Sequence, residues 1–444
     1  MIGLILAVTV ATQSPRVFTN DICLASELYM LKGERNEIFV HSFLKRWRPY
    51  DDFVRFDVPG QRNVFLRRLA SVATVTNPVD GAALEVSLVN GDEFETMKTL
   101  KPVMRAAVPR VGADDVYAQI IGDSITHGGF YKYALIESGF VPKLHLVGLR
   151  KVAEGQYFEG RGGWKLKGYF HVTKGEQESY HGFMQPKGGR YWGSTAFWKM
   201  CWRCVRKTQP KGFQPTYSCE SYDDCAVRFS EETGFLLKPQ VGDFQFDDDA
   251  KKMLRYNGSA WTVVDERKLE WSFDYGKYLR MWNVHAPDFL FVYLGFNDFA
   301  RDLKADFSEW AKMIATVKDS YLKAVPGGKF VIAIPISSTG GDNQAGDFSE
   351  YKHAAMWRFR EWLIANYDRR GKDGYWLLDG SGLALDNDHG FYFVKPDDPI
   401  CLPYEKCRPE AGTFGVQWGN PHAYPNYPMM GLPFAAFIQY HRVR

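Results

Sequence analysis

Three apolar runs, "YAQIIGD", "FLFVYLG" and "KFVIAIPIS", constrain this chain more than any other feature. Each is too continuous for a strand with one wet face, and each precedes an amphipathic stretch with helical spacing: "YKYALIESG", "FSEWAKMIATVKDSYLKAV" and "YKHAAMWRFREWLIANYDRR". Apolar strands alternating with helices predict parallel crossovers, and hence an α/β fold of three layers, α/β/α, around a mainly parallel sheet. In such sheets ligands sit beyond the carboxyl ends of the strands. What stands at those ends is therefore the first place to look for chemistry.

The segments before and between these runs read differently. From Cys23 to about residue 112, short alternating runs such as "EIFVHSF", "DFVRFDV", "ASVATVT" and "ALEVSLV" predict antiparallel strands with one solvated face, that is, a small β-sandwich accessory domain over 23–112. The remainder, 113–444, is expected to form the α/β domain, interrupted at about 185–267 by a Trp-, Gly- and Cys-rich insertion. Within it "GDFQFDDDAKKMLRYNGSAWTVVD" predicts two short strands around an Asn-Gly turn, a β-hairpin. Residues 1–22 are apolar then small, reading as a secretory leader or as an assembly contact.

Composition narrows the class of function. A length of 444 residues exceeds one ordinary core, and 24% charged with 45% hydrophobic residues is the balance of a folded soluble protein. A net charge of +3, with both signs interspersed, offers no concentrated basic face, so nucleic acid is not an expected partner. No run reaches the roughly 18–20 apolar residues that span a bilayer, so membrane insertion is not expected. Thirteen Trp and 24 Tyr lean toward carbohydrate, whose apolar faces stack on rings. Of the seven cysteines, "CWRC" and "CESYDDC" fit a zinc site, local disulfides or plain thiols, and no function is built on them.

The strand ends carry the candidate chemistry. Ser124 follows "YAQIIGD" and opens a helical stretch, which puts its hydroxyl at a strand-to-helix junction near backbone N–H groups. In "EGRGGW", Gly160, Gly162 and Gly163 allow close backbone approach and unobstructed N–H donors. In "VYLGFNDF" the strand ends at Gly295 and Asn297 presents an amide. A hydroxyl with a Gly N–H and an Asn amide is the set that acyl transfer requires: a nucleophile and donors for a tetrahedral oxyanion. Asp123 and Asp298 are expected to brace their turns, His127 to line a wall, and Arg161 to make a surface ion pair or meet an anionic substrate group.

With "IGDSITHGG", "EGRGGW", "LGFND" and a C-terminal His segment in that order, the chain resembles the SGNH hydrolases, or GDSL esterases and lipases, over roughly residues 117 to 440. The resemblance implies a flavodoxin-like hydrolase fold, Ser124 as nucleophile, and an oxyanion hole of the Ser124 and Gly160 N–H groups with the Asn297 side chain, Gly163 being the alternative glycine. It implies His422 as the base, in "WGNPHAYPNYPMMGLPFAAFIQYH", although Gly419 stands where the family carries an aspartate. The literal Asp-x-x-His spacing occurs instead at Asp386 and His389, a rival pair without the following Pro-Asn step. No cofactor or metal is called for. The β-rich N-terminal region resembles accessory domains of some carbohydrate esterases, so the expected substrate is an O-acetylated polysaccharide or a small ester. The Asn-Gly-x-x-Trp hairpin resembles segments of phage structural proteins, which leaves as the alternative a weakened glycan-binding or virion component. Extracellular, periplasmic or virion-associated placement, with homo-oligomer or virion assembly, goes with these readings.

Overall fold

The run at 117–121 forms the middle of the strand Val116–Gly122, six of whose seven residues are buried. Such a strand needs cover on both faces and partners on both edges, and the computed structural model supplies them. It describes residues 20–46, 52–60, 66–69, 72–91, 94–127, 131–176, 178–206, 227–336, 350–383 and 430–442. On one edge Phe289–Tyr293 pairs in parallel, Phe289 opposite Ala118, followed by Lys329–Ala333 and Tyr375–Leu378, also parallel. On the other edge Leu144–Leu146 pairs with the start of Val116–Gly122 and Gln156–Gly160 with its end; Arg150–Ala153 closes that side antiparallel.

Successive side chains of these strands enter two different cores, as a period of two requires. Ala118, Ile120, Phe291 and Val331 pack with Phe434 and Phe437 of the helix Gly431–Arg442. Ile121, Val292 and Ile332 pack with Trp310 and Ile314 of Ser308–Ala324 and with Phe359 and Leu363 of Glu350–Tyr367. Fully burying each such side chain contributes roughly 1.5–3 kcal/mol, so this sheet is the rigid frame from which the strand-end loops project.

The expected three-layer α/β/α architecture is nevertheless not the plan of the molecule. Of the described residues about 30% are helical and 31% lie in strands, and the chain is β-rich and mixed rather than α/β. The described strands divide among six sheets, and three of the five outside the central one are antiparallel throughout. The reason is that strand–helix alternation is a local signal. It reports the long apolar strands and is silent on how much short, two-faced strand the intervening segments add.

The described N-terminal residues form three small sheets. Asn36–Phe39, Leu66–Leu69 and Val72–Val75 form one, and Asp52–Asp57, Glu85–Asn90 and Thr96–Leu100 a second. The third pairs Glu27–Leu31 in parallel with Val103–Ala107. Its alternate residues face two cores: Leu28 and Met30 join the N-terminal cluster, whereas Tyr29 and Leu31 join the core under Gly431–Arg442. Tyr29 and Phe437 lie with ring centroids 4.7 Å apart.

The insertion holds more strand than expected. Arg190–Ser194, Asp243–Asp247, Lys252–Tyr256 and Trp261–Val263 form a four-stranded sheet, joined by the helix Thr195–Val205. Two hairpins, not one, arise from the segment 242–265. At the Asn-Gly turn Asn257 Oδ1 accepts the N–H groups of Ser259 and Ala260, both at 3.0 Å, while Gly258 takes φ +111°. Cys201 is buried; Cys219 and Cys225 lie outside the described residues. Among the described residues no helix is long and apolar enough to cross a membrane.

Candidate active site

The strand that carries the nucleophile candidate stops where its side chains run out of room. A Cβ on Gly122 would lie 1.9 Å from Thr126 Oγ1, so only glycine lets the chain turn back on itself there. Asp123 follows, 1% exposed, and its Oδ1 accepts the Ile125 N–H at 2.9 Å, which starts the one-turn helix Ser124–His127. Ser124 is its first residue and is half-buried. The turn is pinned from below: Thr126 Oγ1 and Tyr131 OH are 2.9 Å apart, and the buried Lys132 ammonium donates to the Thr126 and His127 carbonyls, the latter at 2.8 Å. A cation at the carbonyl end of a helical turn is favourable.

The "EGRGGW" segment comes alongside through the sheet. Gly160 pairs with Gly122, and the Arg161 N–H donates to the Gly122 carbonyl at 2.9 Å. A Cβ on Gly160 would lie 2.6 Å from the His127 nitrogen, so Gly160 is the floor on which the Ser124 helix rests. Gly163, at φ +75° in the turn that closes from Trp164 N–H to the Arg161 carbonyl (3.3 Å), has open space about its Cα. Of the two candidate glycines, Gly163 is the open one.

Arg161 is corrected by the structure. It is neither a surface residue nor substrate-facing: its side chain is fully buried, ion-paired with Glu159 at 2.5 Å and donating to the Tyr180 carbonyl at 2.7 Å. Glu159 is further satisfied by the Tyr278 hydroxyl at 2.5 Å and the Leu149 N–H at 2.7 Å. Burial of both charges is tolerable only with partners such as these.

The third loop follows Phe289–Tyr293. Gly295 adopts φ +126°, and any side chain there would strike the Phe359 ring at 2.2 Å. Asn297, in the turn Phe296–Phe299, donates through Nδ2 to Asp123 Oδ2 at 3.2 Å and to the Trp164 carbonyl at 3.1 Å. The neighbouring Asp298 carboxylate accepts the Leu166 N–H at 3.1 Å. All three loops are thus laced together by the Asn297 amide and two carboxylates. Burial pushes the Asp123 carboxyl up to about 7, with the Ile125 N–H pulling it down and Asp298 adding to the rise. Burial likewise pushes Asp298 up to about 6, against the Leu166 N–H.

The structure therefore brings Ser124, Gly160, Gly163 and Asn297 to one edge of the sheet. His422, His389, Asp386 and Gly419 lie outside the described residues. Of the imidazoles that are described near this edge, His181 cannot act as a base: Nε2 bonds to the His171 carbonyl at 2.7 Å, Nδ1 accepts the Phe183 N–H at 3.2 Å, and burial pushes its pKa down to about 3. His127 packs toward Phe158, ring centroids 6.1 Å apart. Sequence reasoning missed Lys132, Tyr169, whose hydroxyl donates to the Gly122 carbonyl at 2.7 Å, and the Trp164 carbonyl. The one usable signal was the pair of polar residues in "YKYALIE" close behind the Gly-Asp-Ser turn. Among the described residues no cluster of His, Cys, Asp or Glu is placed to hold a metal ion.

A half-buried hydroxyl on a helical turn, next to an Asn amide and an open glycine turn, has the parts for nucleophilic attack and for holding an oxyanion. Compared with known proteins, the chain has no match to a family model, a curated protein or a solved structure.

Proposed function

We propose that the chain is a serine esterase that removes O-acetyl groups from a polysaccharide. The observation that carries the reading is the Asn297 amide bound at 3.2 Å to Asp123, the residue next to Ser124, because it joins hydroxyl and donor at one point of the sheet edge. The sequence resemblance to SGNH hydrolases and the 16% aromatic content support the ester and glycan halves respectively.

In this proposal His422 takes the Ser124 proton as the oxygen attacks the ester carbonyl. The Ser124 N–H, the Asn297 amide and Gly163 or Gly160 hold the oxyanion, His422 returns the proton to the departing sugar oxygen, and water then releases acetate from the serine. Gly419 leaves His422 without the usual aspartate, so the pair works as a dyad or borrows another acceptor.

A second reading is a glycan-binding or virion component that keeps the site without turnover. It is favoured by the Asn297 amide spending its hydrogens on Asp123 and Trp164 within the protein. Hydrolysis of p-nitrophenyl acetate separates the two. As an esterase, the protein loses about 10³-fold or more in rate, some 4 kcal/mol, with Ser124→Ala or His422→Ala, and little with His389→Ala. A wild type no faster than Ser124→Ala leaves the binding role.

A further inference from the structure

At the end of the central sheet opposite Ser124, three rings stack across the strands. His145 stands directly beside Tyr117 in the parallel pairing, and their rings stack at 4.9 Å and 21°. On the other face of Tyr117, His285 stacks at 3.4 Å and 11°. The backbone locks this order: Asp288 N–H donates to the Tyr117 carbonyl at 2.8 Å, and the Tyr117 N–H to Asp288 Oδ2 at 2.9 Å. The stack lines a cleft of about 280 Å³ together with Arg228, Trp282 and Asn283. The seven residues of Val116–Gly122 separate it from the Ser124 site by about 20 Å.

The polar groups of this cleft are mixed in a particular way. His145 Nε2 meets the Asp115 carboxylate at 2.8 Å, and His285 Nδ1 the Ala286 carbonyl at 3.0 Å. Those acceptors require the hydrogen on those nitrogens. Arg228 adds donors; its guanidinium lies 5.4 Å from the Trp282 ring and gives one N–H to the Met281 carbonyl at 3.3 Å. Asn283 offers both kinds. An anion needs donors alone, and the Asp115 carboxylate beside His145 opposes it. Sugar hydroxyls both give and accept, and sugar C–H faces pack on rings.

We infer that this cleft binds a neutral sugar unit, independently of any reaction at Ser124. The cleft is of small-molecule rather than polymer size. Saturation-transfer NMR on the full chain tests it, with the methyl glycosides of glucose, galactose, mannose, xylose and N-acetylglucosamine as probes and inorganic phosphate as competitor. At least one glycoside binds with a millimolar Kd, equally in Ser124→Ala, and about fivefold more weakly in His285→Ala and in Arg228→Gln. His285 and Arg228 are exposed, so neither change threatens the fold. No saturation of any glycoside overturns the inference. So does transfer that survives both substitutions, and so does displacement of the sugar by millimolar phosphate, which marks a site for anions.

Discussion

Two strands of the central sheet end in one local pattern that is used differently. The strand Val116–Gly122 runs into Asp123 and the one-turn helix Ser124–His127; the strand Tyr375–Leu378 runs into Asp379 and the one-turn helix Gly380–Leu383. Both aspartates are buried, at 1% and 0% exposure. Asp379 is ion-paired with the equally buried Arg360 and accepts the Ala25 N–H at 2.9 Å, while Arg360 donates to the Cys23 carbonyl at 2.9 Å. Asp123 has an amide where Asp379 has a guanidinium. A buried carboxylate given a cation serves as a joint, here for the N-terminal strands. One given only neutral donors is pushed up to about 7 by burial, whereas at Asp379 the rise from burial is opposed by Arg360.

The largest effect expected from this contrast is at the joint. Arg360→Met leaves Asp379 charged and unpaired in the interior and should cost about 3–5 kcal/mol, read from urea unfolding at pH 7. A loss below about 1 kcal/mol would show that the ion pair does not hold the joint, and the contrast would collapse. Next comes the floor of the Ser124 turn. Gly160→Ala drives a methyl to within 2.6 Å of the His127 backbone, which cannot swing aside as a flexible side chain would. We expect about 1–3 kcal/mol of destabilisation, with loss of whatever Ser124 does. Gly163→Ala, with open space but φ +75°, should cost only about 1 kcal/mol. Equal losses at the two glycines would mean that the close approach at Gly160 is relaxed in solution.

Much of this edge was legible before the structure. Runs ending in Gly-Asp-Ser and Gly-Phe-Asn announce buried strands that stop where a polar side chain is presented, and both Ser124 and Asn297 stand at such stops. What the sequence did not disclose is tertiary. Nothing local says that the Asn297 amide would turn to Asp123, a residue 174 positions away, or that Arg161 would be buried with Glu159 rather than solvated. Lys132 sits in a helical stretch where its charge reads as a wet face, yet it is buried against the carbonyls of the Ser124 turn. The β-rich character escaped for a related reason. Strands of three to five residues, such as Met184–Pro186 and Trp261–Val263, take their stability from partners far along the chain and leave little periodicity of their own.

The smallest expected change is the most informative about Asp123. Its ordinary carboxyl value of 3.8 is raised to about 7 in the folded chain by burial. Between about pH 4 and pH 7 the folded form therefore keeps a proton that the unfolded form has lost. The contribution to stability is whole below about pH 4, falls as pH rises to about 7, and is flat above. Asp298, raised to about 6, acts in the same direction over a narrower window. Asp123→Asn keeps an oxygen for the Ile125 N–H and loses the bond from Asn297, so at pH 4, where the folded carboxyl is already neutral, the net change should be about 1 kcal/mol or less. The slope, not the value, is the readout. Urea midpoints measured from pH 4 to pH 8 should decline more steeply in the wild type than in the variant, where only Asp298 and Asp379, also raised by burial, remain. An identical decline in both would show that Asp123 does not carry the slope, and the contrast between the two strand ends would fall.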